Sequence, residues 1–288
     1  HKNACSEIEV DRWRDECLYL DWNDDLLDFK MTVLAETILQ VNDGRGPDIV
    51  ALQEVENISV LEQLRTGYLA NAGYLPAILV EGTDKRGIDV AFLSRLPLAQ
   101  PPRLHPLELP EDYADRAGDT RGVLEATFEL PDGSLLTGFS VHFPAPFHPT
   151  AMRIAAYNHL NALRQAVPPQ HNLFAAGDFN TTSTEDAREG MLDRFVRPTW
   201  TVAHELCNGC PGTHYYPRDD VWSFLDLILY APGNDAGSRW QLDREAVRLA
   251  ADFREQLRED GSPRRFNAAA RAGVSDHLPL LIEIEATQ

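Results

Sequence analysis

Seven side chains able to bind a cation or move a proton stand at the ends of apolar, strand-length runs. Glu54 closes Asp48-Ile-Val-Ala-Leu-Gln-Glu-Val, and His142 closes Phe139-Ser-Val-His. Asp178 and Asn180 end Leu173-Phe-Ala-Ala-Gly-Asp-Phe-Asn, Asp226 lies in Phe224-Leu-Asp-Leu-Ile-Leu, and Asp276 and His277 precede Leu278. Side chains placed this way can meet in one crevice. Hard carboxylate and amide oxygens suit Mg²⁺, Mn²⁺ or Ca²⁺, and histidines beside carboxylates suit proton transfer. Each residue alone has an ordinary structural reading: a capping glutamate, an Asx turn at Gly177-Asp-Phe-Asn, a turn before a last strand. Asp226 resists that reading most. Its neighbours are Leu225, Leu227, Ile228 and Leu229, where an unpaired carboxylate is costly. If its strand lies beside the segment entering the last strand, Asp226 can accept a hydrogen bond from His277.

The elements that must position these residues follow from hydrophobic periodicity. Strands are predicted at Asp48–Val55, Tyr74–Val80, Asp89–Ser94, Val123–Leu130, Leu135–Phe143, Leu173–Asp178, Phe224–Tyr230 and Leu278–Glu285. Several are rich in Val, Ile, Leu and Phe, the composition of strands covered on both faces. Helices are predicted at Asp28–Val41, Ser59–Ala72, Pro149–Ala166, Ser183–Phe195 and Asp243–Arg258. Many strands and few helices imply two sheets packed face to face with helices outside, in one α/β domain over residues 1–288.

The 288 residues carry 45 Asp and Glu against 26 Lys and Arg, a formal charge of −19. A protein that grips nucleic acid mainly by neutralising many phosphates is basic, so tight non-specific duplex binding is disfavoured. A bound cation can still invert the charge of one site. No apolar run is long enough to span a bilayer, and no serine-hydrolase elbow, P-loop or dinucleotide fingerprint is present. The chain opens on His1 with no visible signal peptide. Cys5, Cys17, Cys207 and Cys210 form two close pairs, which suit two disulfides and an extracellular or periplasmic setting. Free thiols and a zinc site are the alternatives.

In order and spacing, these segments resemble the endonuclease/exonuclease/phosphatase superfamily. The resemblance rests on Pro47-Asp-Ile-Val-Ala-Leu-Gln-Glu-Val-Glu-Asn, Arg86-Gly-Ile-Asp-Val-Ala-Phe-Leu-Ser-Arg, Thr120-Arg-Gly-Val-Leu, Val141-His-Phe-Pro, Gly177-Asp-Phe-Asn, Ser223-Phe-Leu-Asp-Leu-Ile-Leu and Ser275-Asp-His-Leu-Pro. It implies a deoxyribonuclease-like β-sandwich flanked by helices in four layers, α/β/β/α. It also implies a metal-dependent hydrolase of phosphate esters, a phosphodiesterase or nuclease, acting as a monomer. By the same resemblance Glu54 and Asp276 belong to the metal site, and Mg²⁺ is the expected ion, with Mn²⁺ or Ca²⁺ in its place. Asp178 and Asn180 orient the attacking water and hold the phosphate, and His277 with Asp226 acts at the phosphate. His142 serves the leaving oxygen, and Arg121 contacts the phosphate. Asp89 lies in a family-like segment without an assigned role.

The base that takes the water's proton is Asp178 or the Asp226–His277 pair. Family members usually begin with a strand carrying a metal- or phosphate-binding Asn ahead of a segment like Tyr19–Lys30. No such strand pattern is visible here, and Asn3 lies outside one. The other readings are a phosphomonoesterase or lipid phosphodiesterase of the same fold, and a catalytically inert binding member.

Overall fold

The apolar runs fold into two sheets that face each other, each backed by helices. A computed structural model of the chain describes Cys5 and residues 11–20, 22–234 and 240–287. Three strands form the smaller sheet, in the order β1 (Ile49–Val55), β3 (Asp89–Ser94), β2 (Ile78–Leu79). The larger has six: β4 (Arg103–His105), β5 (Val123–Glu129), β6 (Leu135–His142), β7 (Asn172–Asp178), β11 (Asp226–Ala231) and β8 (Thr201–Val202). Short ladders pair β9 (His214–Tyr216) with β10 (Val221–Ser223), β12 (Trp240–Leu242) with β15 (Ile284–Ala286), and β13 (Arg248–Leu249) with β14 (Leu280–Leu281). The helices are α1 (Asp11–Tyr19), α2 (Asp24–Leu39), α3 (Ile58–Gln63), α4 (Thr150–Ala166), α5 (Ser183–Glu189) and α6 (Met191–Phe195).

Strand alternation divides the core into layers. On β3, Val90 and Phe92 face the other sheet, with Leu124, Phe128 and Phe174. Ala91 and Leu93 face outward, against Met31 and Ala35 of α2 and Leu61 of α3. On β7, Phe174 and Ala176 look inward, while Leu173 and Ala175 look out toward Ala156, Tyr157 and Leu160 of α4. The result is the expected α/β/β/α stack. Strands β6 and β7 run parallel, and α4 supplies the crossover that a parallel pair requires.

Several elements depart from the prediction. Helix α2 starts four residues early, because Asn23 Oδ1 accepts from the Leu26 amide at 3.0 Å and caps it. The helix expected over Ser59–Ala72 is α-helical only to Gln63 and continues as a π turn over Leu64–Tyr68. The one expected over Ser183–Phe195 breaks at Gly190, whose φ of +62° ends α5 in the left-handed conformation. No α-helix forms over Asp243–Arg258, only a 3-10 turn at Arg254–Gln256. The Gln40 side chain of α2 accepts from the amides of Asp252 and Phe253 at 2.8 and 3.0 Å, and Gln256 Nε2 donates to Ala250 O at 3.2 Å. These side chains occupy the backbone groups that a helix would use. The strand expected over Leu278–Glu285 is split into β14 and β15, which pair with different partners just after Pro279. No strand precedes Ile49 among the described residues, and Asn3 lies outside them.

A disulfide joins Cys207 and Cys210. Cys5 is also disulfide-bonded, and the side chain of its expected partner Cys17 lies outside the described residues.

The loop after His142 is held by a buried ion pair. Arg153 Nε donates to Glu185 Oε2 at 2.7 Å, and its Nη1 donates to the carbonyls of Pro144, Ala145 and His148 at 3.2, 2.7 and 3.2 Å. Removing one member of such a pair strands a buried charge. Arg153→Met is therefore expected to lower unfolding stability by about 3–5 kcal/mol, read by urea denaturation. A loss below about 1 kcal/mol would show that Glu185 finds another partner.

Candidate active site

The larger sheet brings three of the seven residues into one row. His142 is the register partner of Asp178 across the parallel β6–β7 ladder, and Asp178 is the partner of Asp226 across β7–β11. All three lie on the inward-facing parity, continuing Phe174 and Ala176 on β7 and Ile228 and Tyr230 on β11 to the end of the strands. The close approach of β6 to β7 requires Gly177. Its φ is +141°, and a β-carbon there would sit 2.0 Å from Val141 O.

Glu54 reaches the same crevice by a different device. A regular strand would put it on the Val50 and Leu52 face, against the helices. One extra residue between Leu52 and Val55 shifts the register, and Glu54 adopts φ +58°. Val55 then returns to the helix-facing cluster, and Glu54 turns out of it. A β-bulge re-aims a side chain in this way. The Glu54 carboxylate is 61% exposed, 4.0 Å from Arg86 Nη1.

His277 arrives from the C-terminal segment, and buried Thr213 joins that segment to β11. Thr213 Oγ1 accepts from Asp226 N at 3.1 Å, and Thr213 O accepts from Leu278 N at 2.8 Å. His277 Nδ1 then donates to Asp226 Oδ2 at 2.6 Å, which leaves Nε2 for a ligand. Burial works against the His277 imidazolium. The Asp226 carboxylate, by charge and hydrogen bond, and the charges of Asp178 and Asp276 outweigh it and raise its pKa to about 10. His214 bridges to His277 on the adjoining ladder, with ring centroids 5.0 Å apart.

The opposite shifts occur deeper in. Burial, then the Asp226 charge, pushes the Asp178 carboxyl up. Burial, then the charges of Arg121 and Arg86, holds His142 well below the usual histidine range, so it is neutral. His142 Nε2 lies 3.4 Å from Asp178 Oδ2, and its buried Nδ1 has no hydrogen-bond partner. Asn180 donates its amide N–H to Asp178 Oδ1 at 2.8 Å and its side-chain Nδ2 to Phe143 O at 2.9 Å. Arg121 is buried and pairs with Asp84 Oδ2 at 3.2 Å, while its Nε is buried without a partner. Asp89 accepts from Gly82 N at 2.8 Å and ties down the preceding loop.

Glu54 and Asp276 are exposed hard-oxygen donors beside this row. No group of three His, Cys, Asp or Glu side chains among the described residues is arranged as a chelate. Two carboxylates with open positions fit Mg²⁺, which keeps several waters and is completed by phosphate oxygens. They do not fit a closed zinc site. Asn23, the one amide side chain ahead of Lys30 among the described residues, is engaged as the α2 cap.

Thr213, Arg86, Asp84 and His214 were not singled out in the sequence, and none of them carried a signal there.

The raised pKa of His277 sets a direction for stability. Below about pH 6.5, where unfolded histidine is also protonated, its contribution is complete. It is lost as pH rises through about 10. Asp226→Asn is expected to lower the His277 titration midpoint followed by NMR and to flatten the alkaline loss of stability. An unshifted midpoint in that variant would remove Asp226 as the cause.

The chain resembles solved structures of the same architecture. An endonuclease/exonuclease/phosphatase family protein from Leptotrichia buccalis is 16% identical, with a TM-score of 0.60 over 92% of this chain and 95% of that one. A humanized D. rerio TDP2 is 16% identical, with a TM-score of 0.62 over 92% and 94%. A mannosyl-6-phosphatase from Bacteroides thetaiotaomicron is 19% identical, with a TM-score of 0.57 over 90% and 91%. No curated protein matches the chain. The sequence itself matches the Endonuclease/Exonuclease/phosphatase family over residues 22–277, and with the site lying within that span the chain belongs to this family.

Proposed function

We propose that the chain hydrolyses phosphodiesters by attack of water at phosphorus, with Mg²⁺, or Mn²⁺ or Ca²⁺ in its place, held by Glu54 and Asp276. The observation that carries this reading is the row of His142, Asp178 and Asp226 at three adjacent strand ends, with His277 bonded to its last member. When bound, the cation supplies charge stabilisation to the phosphate oxygens as they gain charge.

The charges assign the proton chemistry. His277, held as imidazolium by Asp226, cannot serve as base. It donates from Nε2 to a phosphate oxygen. Asp178, with its carboxyl pushed up by burial, is the group that takes the proton of the attacking water. Neutral His142 and the Asn180 amide group hold Asp178 and the water in place. Arg121 offers its uncommitted Nε–H to the phosphate. The leaving oxygen takes its proton from solvent, because neutral His142, engaged beside Asp178, has no acidic proton to give it.

The net charge of −19 favours a compact diester over a long duplex held non-specifically. A phosphomonoesterase is the second reading. Arg86 favours it: 58% exposed and beside Glu54, it could meet the extra charge of a terminal phosphate. The mannosyl-6-phosphatase among the similar structures is a further point for it. The Cys207–Cys210 disulfide supports an extracellular or periplasmic setting.

The test is a panel of single- and double-stranded DNA, RNA, a chromogenic phosphodiester and a phosphomonoester, each with Mg²⁺, Mn²⁺ and Ca²⁺. Diester turnover that vanishes with chelator is expected. Asp178→Asn and His277→Ala should each lower kcat by about 10²–10³-fold with the fold retained. Because Asp178 acts as base, kcat should rise with pH as its carboxyl loses its proton, and that limb should disappear in Asp178→Asn. Unchanged turnover in either variant would remove that residue from the mechanism.

A further inference from the structure

One buried carboxylate, Asp84, holds two arginines of the crevice. Its side chain is 1% exposed. Oδ2 accepts from Arg121 Nη1 at 3.2 Å, and Oδ1 accepts from Arg86 N at 2.7 Å and Arg86 Nε at 3.4 Å. The three residues join the two sheets. Asp84 and Arg86 lie between β2 and β3 of the smaller sheet, and Arg121 lies two residues ahead of β5 in the larger. The segment carrying Asp84 is fastened: Gly82 N donates to Asp89 Oδ1, Lys85 N to Gly118 O and Gly87 N to Asp84 O, at 2.8, 2.8 and 2.9 Å. Strand register sets this link along one wall of the site. Asp89 is the partner of Val55, beside the Glu54 bulge, and Arg86, three residues before Asp89, reaches Glu54 at 4.0 Å. Leu124 is the partner of Ser140. Two residues further along the same register Gly122 meets His142, with Arg121 next in the chain. The link therefore runs from Glu54 to His142.

Both guanidiniums are held without being used up. Arg121 is 3% exposed, and its Nη1 also reaches Asp119 O at 3.4 Å. Its Nε–H is buried with no partner, a costly state for a charged donor. Arg86 is 58% exposed, so most of its N–H groups are open to a ligand. One carboxylate between two guanidiniums leaves a net positive charge, set within a chain of formal charge −19. An anion is the ligand that these donors lack.

We propose that Asp84 is a positioning residue that sets Arg121 and Arg86 as a paired grip on the phosphate, Arg121 the fixed member and Arg86 the one open to solvent. This rests on the reading of the crevice as a phosphoester site. Asp84 does not touch the substrate. By engaging one side of each guanidinium it fixes the direction of the N–H groups that remain. Planar guanidiniums recognise phosphate oxygens by direction as well as by charge. The two ways in which Asp84 can act have opposite signs. As a bare negative charge it repels an anion; as the anchor of both arginines it strengthens the anion's binding.

The experiment is calorimetric titration of the full chain with inorganic phosphate in the presence of Mg²⁺, alongside KM for the chromogenic diester. Asp84→Asn keeps the shape of the side chain and removes its charge. It should weaken phosphate binding roughly tenfold and raise KM in step, even though the surroundings of the anion become more positive. Arg86→Lys keeps the charge at an exposed position and removes the planar fork that meets Asp84. It should weaken binding by roughly threefold or more. The inference is overturned if Asp84→Asn, shown folded by circular dichroism, binds phosphate as tightly as wild type or more tightly, since charge alone would then describe Asp84. Wild-type affinity in Arg86→Lys overturns it equally, and that variant decides alone should Asp84→Asn fold poorly. Failure of the underlying reading has a different signature: no phosphate uptake by the wild type and no hydrolysis in the panel. Hydrolysis that persists with KM and affinity unaltered in both variants sinks only the role of Asp84.

Discussion

The register of β6, β7 and β11 is the constraint on which the rest depends. Side chains alternate with a period of two, so a slip of one residue would send every inward group to the helix layer. In the observed register His142, Asp178 and Asp226 stand side by side. One residue earlier on each strand, Val141, Gly177 and Leu225 or Leu227 carry the packing instead. The apolar rows beneath enforce the choice: Phe174, Ala176 and Tyr230 fill the space between the sheets, and Leu173, Ala175 and Leu229 meet the helices. Gly177 permits the two parallel strands to approach within the reach that this register demands. The core thus aligns the site, and the site residues at the strand ends need only follow.

Two further groups join this row by interrupting regular structure. Glu54 leaves its strand's alternation through a bulge with positive φ, a strained conformation that persists because Val55 and Leu52 are both held in the helix-facing cluster. His277 follows a loop fastened by Thr213, which bonds β11 and the C-terminal segment together. The short Asp226–His277 bond then ties the two sides of the crevice. The loop that carries Thr213 leaves the Cys207–Cys210 disulfide only three residues earlier, so the fastening is itself constrained.

Electrostatically the crevice is a balance set within a chain of strong negative charge. Asp84, Asp178 and Asp226 are drawn in beside Arg121 and His277, and the shifts run in opposite senses: His277 upward, His142 and Arg121 downward. Pairs of titratable groups pushed apart in this way are what the proposed acid–base chemistry requires. The exposed Glu54 carboxylate lies 4.0 Å from Arg86 Nη1. The local charge therefore depends on this chain's own cations as much as on any ion it recruits.

The sequence by itself determined the layered fold and the chemical types in the crevice. Long buried strands announce themselves by continuous apolar runs, and β3 falls where its run predicts, Asp89–Ser94. Asp226 was legible as a paired carboxylate because its leucine and isoleucine neighbours make solitude costly, and its partner is His277. Tertiary structure alone decided the remainder. Asp243–Arg258 has a helical pattern, yet Gln40, more than two hundred residues away, takes its amides first. The aim of Glu54 depends on a bulge that no local pattern encodes. Thr213, Asp84 and Arg86 act through partners distant in sequence or across a turn, and an isolated threonine or arginine carries no sign of the contact it will make. Lys30 donates to Val274 O and lies over the Phe266 ring, contacts that its place on the helix did not announce. Burial and pairing across the chain are set when the layers close, and local periodicity has no access to them.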